Sequence, residues 1–289
     1  MNLHRPFTTS LPQLLGIMLS VLALLGAAPG CSSPPPPQRP VVLCSVLPQA
    51  WFVERLAGDR VQVEVMIPPG ASPATYEPTV QQMQAAARAS LYIKVGHPAF
   101  PFEATWLEPL LKQGQEMRQV DSSAGLDRLE GDPHVWVSPG CARIMARNIA
   151  QALEELLPAD REALRSNLRA LLAEVDSVDR ELQESLGGLR GTRFYAFHPA
   201  WGYLAREYGL EQVALEEEGQ EPSAGRLSEL LEQARRDGVR VLFVQPQFSE
   251  ASARMLAEDL GARVLPLDPL ARDWPATMRQ VAAAFRESR

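Results

Sequence analysis

The sequence predicts an α/β protein of two lobes, each a parallel sheet covered by helices, bridged by one long rigid helix. Three observations carry this. Short apolar runs alternate with helix-patterned segments along most of the chain. Late in the chain, VRVLFV–helix–RVLPL echoes VVLCSV–helix–VQVEVMI near its start. Between the halves lies an amphipathic stretch longer than an ordinary globular helix. The 289 residues suffice for two cores.

Taken in order, VVLCSV (41–46) reads as a buried strand, AWFVERLAG as a helix and VQVEVMI (61–67) as a second strand. PPGASPATYEPT is a loop. Residues 80–89 are helical, LYIKV (91–95) is a strand stopping at Gly96, and FEATWLEPLLKQ is helix-like. Residues 141–156 form a helix closed by Pro158. Leu164, Leu168, Leu171, Leu172, Val175, Val178, Leu182 and Leu186 then recur at helical spacing as far as Gly187 and Gly188. At 1.5 Å per residue that helix is roughly 40 Å long, a strut. Beyond it come strand RFYAF (193–197), helix GYLAREYGL stopped by Gly209, and a helix over 227–237. Strand VRVLFV (239–244), helix SEASARMLAEDLG, strand RVLPL (263–267) and a final helix from about 275 to 285 complete the chain. The predicted division is a lipoprotein signal peptide at 1–30, a Pro-rich tether at 31–40, an N-terminal lobe at 41–157, the linking helix at 158–188 and a C-terminal lobe at 189–289.

The first 13 residues carry Arg5 and no acid, and residues 14–28 are an apolar run. That run is short for a membrane span and has the length of a signal-peptide core. Small residues ending at Cys31 resemble a bacterial lipoprotein cleavage box, with Cys31 as the lipidated residue. SSPPPPQRP after it is an extended tether with no core. This predicts export and lipid anchoring in the bacterial cell envelope, in the periplasm or at the outer face of the cytoplasmic membrane. A hydrophobic fraction of 46% and a charged fraction of 22% are those of a globular protein. A net charge of −7 without a Lys/Arg run argues against nucleic acid as a partner. Spacing does not decide whether Cys44 and Cys141 pair.

The chain has four histidines, and His4 falls in the segment predicted to be removed. The other three sit in short Pro-containing loops: His97 in VGHPAF, His134 in DPHVWVSP and His198 in AFHPAW. Ligands of open α/β sheets bind outside the carboxyl ends of the strands. His97 and His198 lie just past such ends, as does Asp268 after RVLPL, while His134 precedes a helix. Three imidazoles and one carboxylate are a sufficient ligand set for Zn²⁺, whereas Ca²⁺ and Mg²⁺ want oxygen. Trp136 and Trp201 are expected to pack the cleft walls, and Glu216–Glu218 to be a solvated charge run.

LAGDRVQVEVMIPPGASPATYEPT, GDPHVWVSP, FHPAWGYLAREYGL, EEEGQEPSAGRLSELLEQARRDGVRVLFVQPQFS and GARVLPLDPL, in that order, resemble the metal-binding lipoproteins of bacterial zinc and manganese ABC importers. The resemblance runs from about residue 41 to 289. It implies a metal site in the interlobe cleft, with His134, His198 and Asp268 matching three of the family's four ligands. It further implies a monomeric solute-binding protein that captures Zn²⁺, with Mn²⁺ less favoured, and delivers it to an ABC permease in the cytoplasmic membrane. Manganese members tend to carry a carboxylate at the position of His198, which favours zinc. The family's first ligand, a histidine, is replaced here by Ala74. Ser72 stands where aspartate is common and Gln245 where glutamate is common. The expectation is that His97 substitutes, giving His97, His134, His198 and Asp268; the alternative is a three-ligand site closed by water. Two other readings compete: a relative with weakened or lost metal binding that acts as a surface or partner-binding lipoprotein, and a zinc hydrolase. The second lacks HExxH, G-x-S-x-G and an evident general base, so the protein is read as a non-enzyme.

Overall fold

β-branched and aromatic residues concentrate in four short runs, and these become the centres of two sheets: β1 (Val41–Cys44), β3 (Leu91–Lys94), β5 (Arg193–Ala196) and β7 (Val241–Val244). The structure is a computed structural model that describes residues 39–107, 109, 117–216, 223–247, 254 and 257–287. The predicted signal segment, Cys31 and most of the predicted tether lie outside these residues, as does much of the predicted helices at 102–113 and 249–261. No helix among the described residues is long and apolar enough to cross a membrane.

Each lobe holds a four-stranded sheet, ordered β2-β1-β3-β4 and β6-β5-β7-β8, with every described strand pair parallel. The edges are β2 (Gln62–Val65), β4 (Arg118–Asp121), β6 (Glu211–Ala214) and β8 (Arg263–Pro266). Central strands are nearly fully buried because helices cover both faces. β4 (RQVD) and β6 (EQVA) are absent from the sequence reading. Too polar to register as apolar runs, they form because β3 and β5 offer free edges, pairing Leu91 with Arg118 and Arg193 with Glu211.

The helices are α1 (Leu47–Ala57), α2 (Val80–Arg88), α3 (Pro139–Leu156), α4 (Arg161–Leu186), α5 (Gly202–Tyr208), α6 (Ala224–Arg236) and α7 (Trp274–Glu287). Thr79 and Gln82 form a reciprocal capping box that starts α2. The strut α4 has 26 residues, about 39 Å at 1.5 Å each. Its buried stripe of Leu164, Leu171, Val175, Val178, Leu182 and Leu186 is the predicted one, with Leu168 and Leu172 half-buried at its margin.

The main core does not stop at a lobe boundary. It runs from Val42 and Ile93 through Met145, Val175 and Leu182 to Phe243 and Phe285, while a satellite cluster around Tyr195, Leu230 and Leu242 fills one side of the second sheet. Helix α7 packs on α4, and Trp274 at its start reaches α1, with ring centroids 5.8 Å from Phe52 and 6.1 Å from Trp51. Residues Arg39–Arg289 therefore form one compact unit. Cys44 and Cys141 are buried free thiols and do not pair.

Candidate metal centre

Strand order reverses between β1 and β3 and again between β5 and β7, which makes the carboxyl ends of these pairs the natural ligand positions. His198 follows β5 by two residues. Its backbone is clamped by Gln245 just past β7: His198 N–H donates to Gln245 Oε1 at 3.1 Å, and Gln245 Nε2 donates back to the His198 carbonyl at 2.8 Å. A fully buried amide thus fixes the loop at the switch point. In the other lobe His134 precedes a single 3₁₀ turn, Val135–Val137, that leads into α3.

The two rings meet. His134 Nε2 and His198 Nε2 are 3.2 Å apart, with the rings edge to face at 5.0 Å between centroids. Behind each ring stands a carboxylate. Asp132 Oδ1 accepts from His134 Nδ1 at 2.8 Å and from the His134 N–H at 2.9 Å. Glu216 Oε1 accepts from His198 Nδ1 at 2.5 Å. An ionised carboxylate can only accept, so each Nδ1 carries a hydrogen, and the two Nε2 atoms are left facing one another. Two imidazole nitrogens brought this close can share a proton or a metal cation. Burial pushes the His134 pKa below the ordinary histidine value, partly opposed by Asp132.

Trp136 packs edge-on against His134 at 5.4 Å between centroids, and its Nε1 donates to the Pro269 carbonyl at 2.6 Å. This bond brings the loop of Asp268 alongside the His134 loop. Asp268 Oδ1 accepts from Leu270 N–H at 2.9 Å and Gln247 Nε2 at 2.8 Å, so it is held within its own lobe. Among the described residues, no three His, Cys, Asp or Glu side chains converge as a ready metal cage.

His97 is placed otherwise than the substitution idea expects. Its Nε2 donates to the Leu129 carbonyl at 3.0 Å, and its Nδ1 accepts from Ala99 N–H at 3.1 Å. With both nitrogens engaged, the ring has no lone pair turned to the histidine pair. Gly96 before it has φ +74, and a Cβ there would fall on the Asp121 carboxylate, so this turn requires glycine. Ala74 is exposed in its loop, its N–H 3.4 Å from Ser72 Oγ. Glu216 corrects the solvated-run expectation: it is 7% exposed, while Glu217 and Glu218 lie outside the described residues. Its position just past β6 was the available signal, hidden because β6 itself was not recognised. Asp132 was missed because Asp-Pro reads as turn chemistry.

Two parallel-sheet lobes on a long helix, with an imidazole pair held between them, are the architecture of a two-lobed solute-binding fold. A family model described as ZnuA, zinc-uptake complex component A periplasmic, matches residues 42–288, and the chain belongs to that family. Its relatives include the high-affinity zinc uptake system protein ZnuA of Bacillus subtilis (strain 168), 28% identical over 253 residues, covering 79% of this chain and 78% of that one. The zinc-binding lipoprotein AdcA of Streptococcus pneumoniae (strain ATCC BAA-255 / R6) is 28% identical over 248 residues, covering 79% of this chain and 50% of AdcA. The chain thus spans about half the length of that streptococcal relative. Among solved structures, a crystal structure of ZnuA superposes with a TM-score of 0.82 at 38% identity, covering 87% of this chain and 99% of that one. The family is one of metal ABC transporter substrate-binding proteins, not of enzymes.

Proposed function

We propose that this protein captures Zn²⁺ outside the cytoplasm and delivers it to an ABC permease. The observation that carries the reading is the histidine pair. Two nitrogens bound to one tetrahedral Zn²⁺ at about 2.0–2.1 Å lie about 3.3 Å apart, and His134 and His198 already present theirs at 3.2 Å. A carboxylate behind each ring, as at Asp132 and Glu216, is the usual support of a zinc-binding imidazole. Asp268 supplies the third protein ligand once its loop turns the carboxylate inward, and water completes the shell. Nitrogen donors favour Zn²⁺ over Mn²⁺, which prefers oxygen. Lipidation at Cys31 holds the protein, as a monomer, at the membrane that carries the permease.

Zinc titration of purified protein against a competing chromophoric chelator tests this. His134→Ala and His198→Ala should each weaken zinc strongly. His97→Ala should keep near wild-type affinity while losing some stability, and Ala74→His should tighten binding by adding a donor. Unchanged affinity in both His134→Ala and His198→Ala would sink the zinc reading and favour a family relative without metal capture. A loss in His97→Ala as large as in His134→Ala would instead restore His97 to the ligand set.

A further inference from the structure

We infer that Glu216 is a positioning residue for the metal site: from behind His198 it fixes the tautomer and ring orientation that present Nε2 to the cation. This rests on the zinc reading above and assigns a role to a residue that reading leaves outside the ligand set.

The backbone places the side chain. Glu216 N–H donates to the carbonyl of Phe197 at 3.0 Å, so the second residue after β6 is tied to the residue immediately before His198. Its side chain is only 3% exposed, and no arginine or lysine pairs with it among the described residues. Oε1 takes the Nδ1 hydrogen at 2.5 Å, while Oε2 has no hydrogen-bond partner among the described residues. Burying a carboxylate with an unmet oxygen is costly.

The molecule contains its own comparison. Glu103 is also buried, at 8% exposure, but both its oxygens are used: Oε1 accepts from Ser45 Oγ at 2.5 Å and Val95 N–H at 2.6 Å, and Oε2 accepts from Gly96 N–H at 3.0 Å. Glu103 is what a structural carboxylate looks like in this fold. Among the described residues, the Glu216 side chain instead bonds to one imidazole. A direct ligand role is closed to it while that bond lasts, because a cation on His198 Nε2 lies across the ring from Nδ1. Asp132 does the matching task in the other lobe, and its Oδ2 presses on the start of α5, where a Cβ on Gly202 would collide with it. The two rings are thus oriented from opposite sides.

The test compares Glu216→Gln and Glu216→Asp with wild type. Zinc affinity is read by chelator competition, apo stability by thermal unfolding, and the His198 tautomer by ¹⁵N NMR of metal-free protein. Glu216→Gln should weaken zinc by about 10–100-fold, the range for losing an outer carboxylate, with apo unfolding little changed. His198 should pass from the Nδ1–H tautomer to a mixture. Glu216→Asp, which keeps the charge one methylene further back, should fall between, and it provides the readout should the Gln variant not fold. Wild-type affinity and an unchanged Nδ1–H signal in a folded Glu216 variant, alongside lost affinity in His198→Ala, would overturn this inference alone. Unchanged affinity in His134→Ala and His198→Ala would instead remove the zinc reading and this role with it.

Discussion

At His134 two influences oppose each other: burial favours the neutral ring, and Asp132 favours the charged one. Burial wins, so the folded pKa lies below the value of about 6.5 that the unfolded chain shows. Above about pH 6.5 both states hold His134 neutral and it takes nothing from stability; below that value the unfolded chain binds a proton that the folded protein resists. Metal-free protein should therefore lose stability as pH falls from about 6.5 toward the folded pKa of His134. Zinc affinity should fall over the lower part of that range as protons compete for Nε2. Urea unfolding midpoints between pH 7.5 and about 5, measured on wild type and His134→Ala, isolate the contribution. Parallel pH profiles in the two proteins would contradict it.

Glu207, on α5 in the second lobe, caps α3 in the first. Its carboxylate accepts from Ser138 Oγ and from Gly140 N–H at 3.0 Å, placing negative charge on the free N–H groups that open α3. Ser138 closes the stretch that begins at His134, and α5 begins four residues after His198, so this contact sets the two histidine loops against one another. Glu207→Ala should cost about 1–2 kcal/mol, seen as a lower urea midpoint with unchanged slope. An unchanged midpoint would show that the cap is not needed. Arg272–Glu54, another contact between the lobes, is about 40% exposed at both side chains, and its removal should matter less.

Across the whole molecule, the lobes are joined by more than a strut. The core crosses between them, Trp274 Nε1 donates to the Trp136 carbonyl at 2.6 Å, and α7 from the second lobe packs along α4. Opening the cleft widely would break packing of the kind that costs about 3–5 kcal/mol per large aromatic. Small-angle scattering curves of metal-free and zinc-loaded protein should therefore nearly coincide, with zinc ordering only the loops around Asp268. A clear drop in the radius of gyration on zinc addition would refute this.

The sequence by itself determined the alternation of strands and helices, the strut, and the candidate status of His97, His134, His198 and Asp268. These follow from local periodicity and from the recurrence of a scarce residue type in similar Pro-containing loops. Tertiary structure decided the rest. β4 and β6 exist only because neighbouring strands offer them partners, so nothing local announces RQVD or EQVA. His97 looked equivalent to the other histidines in its Pro-containing loop, yet the Leu129 carbonyl and Ala99 N–H, set by the fold of the following loop, claim both its nitrogens. Glu216 looked like one of three solvated acids until the turn after β6 buried it behind His198. Whether a polar side chain meets solvent, a backbone group or an imidazole depends on which distant segments pack beside it, and that information is not carried by its neighbours in the chain.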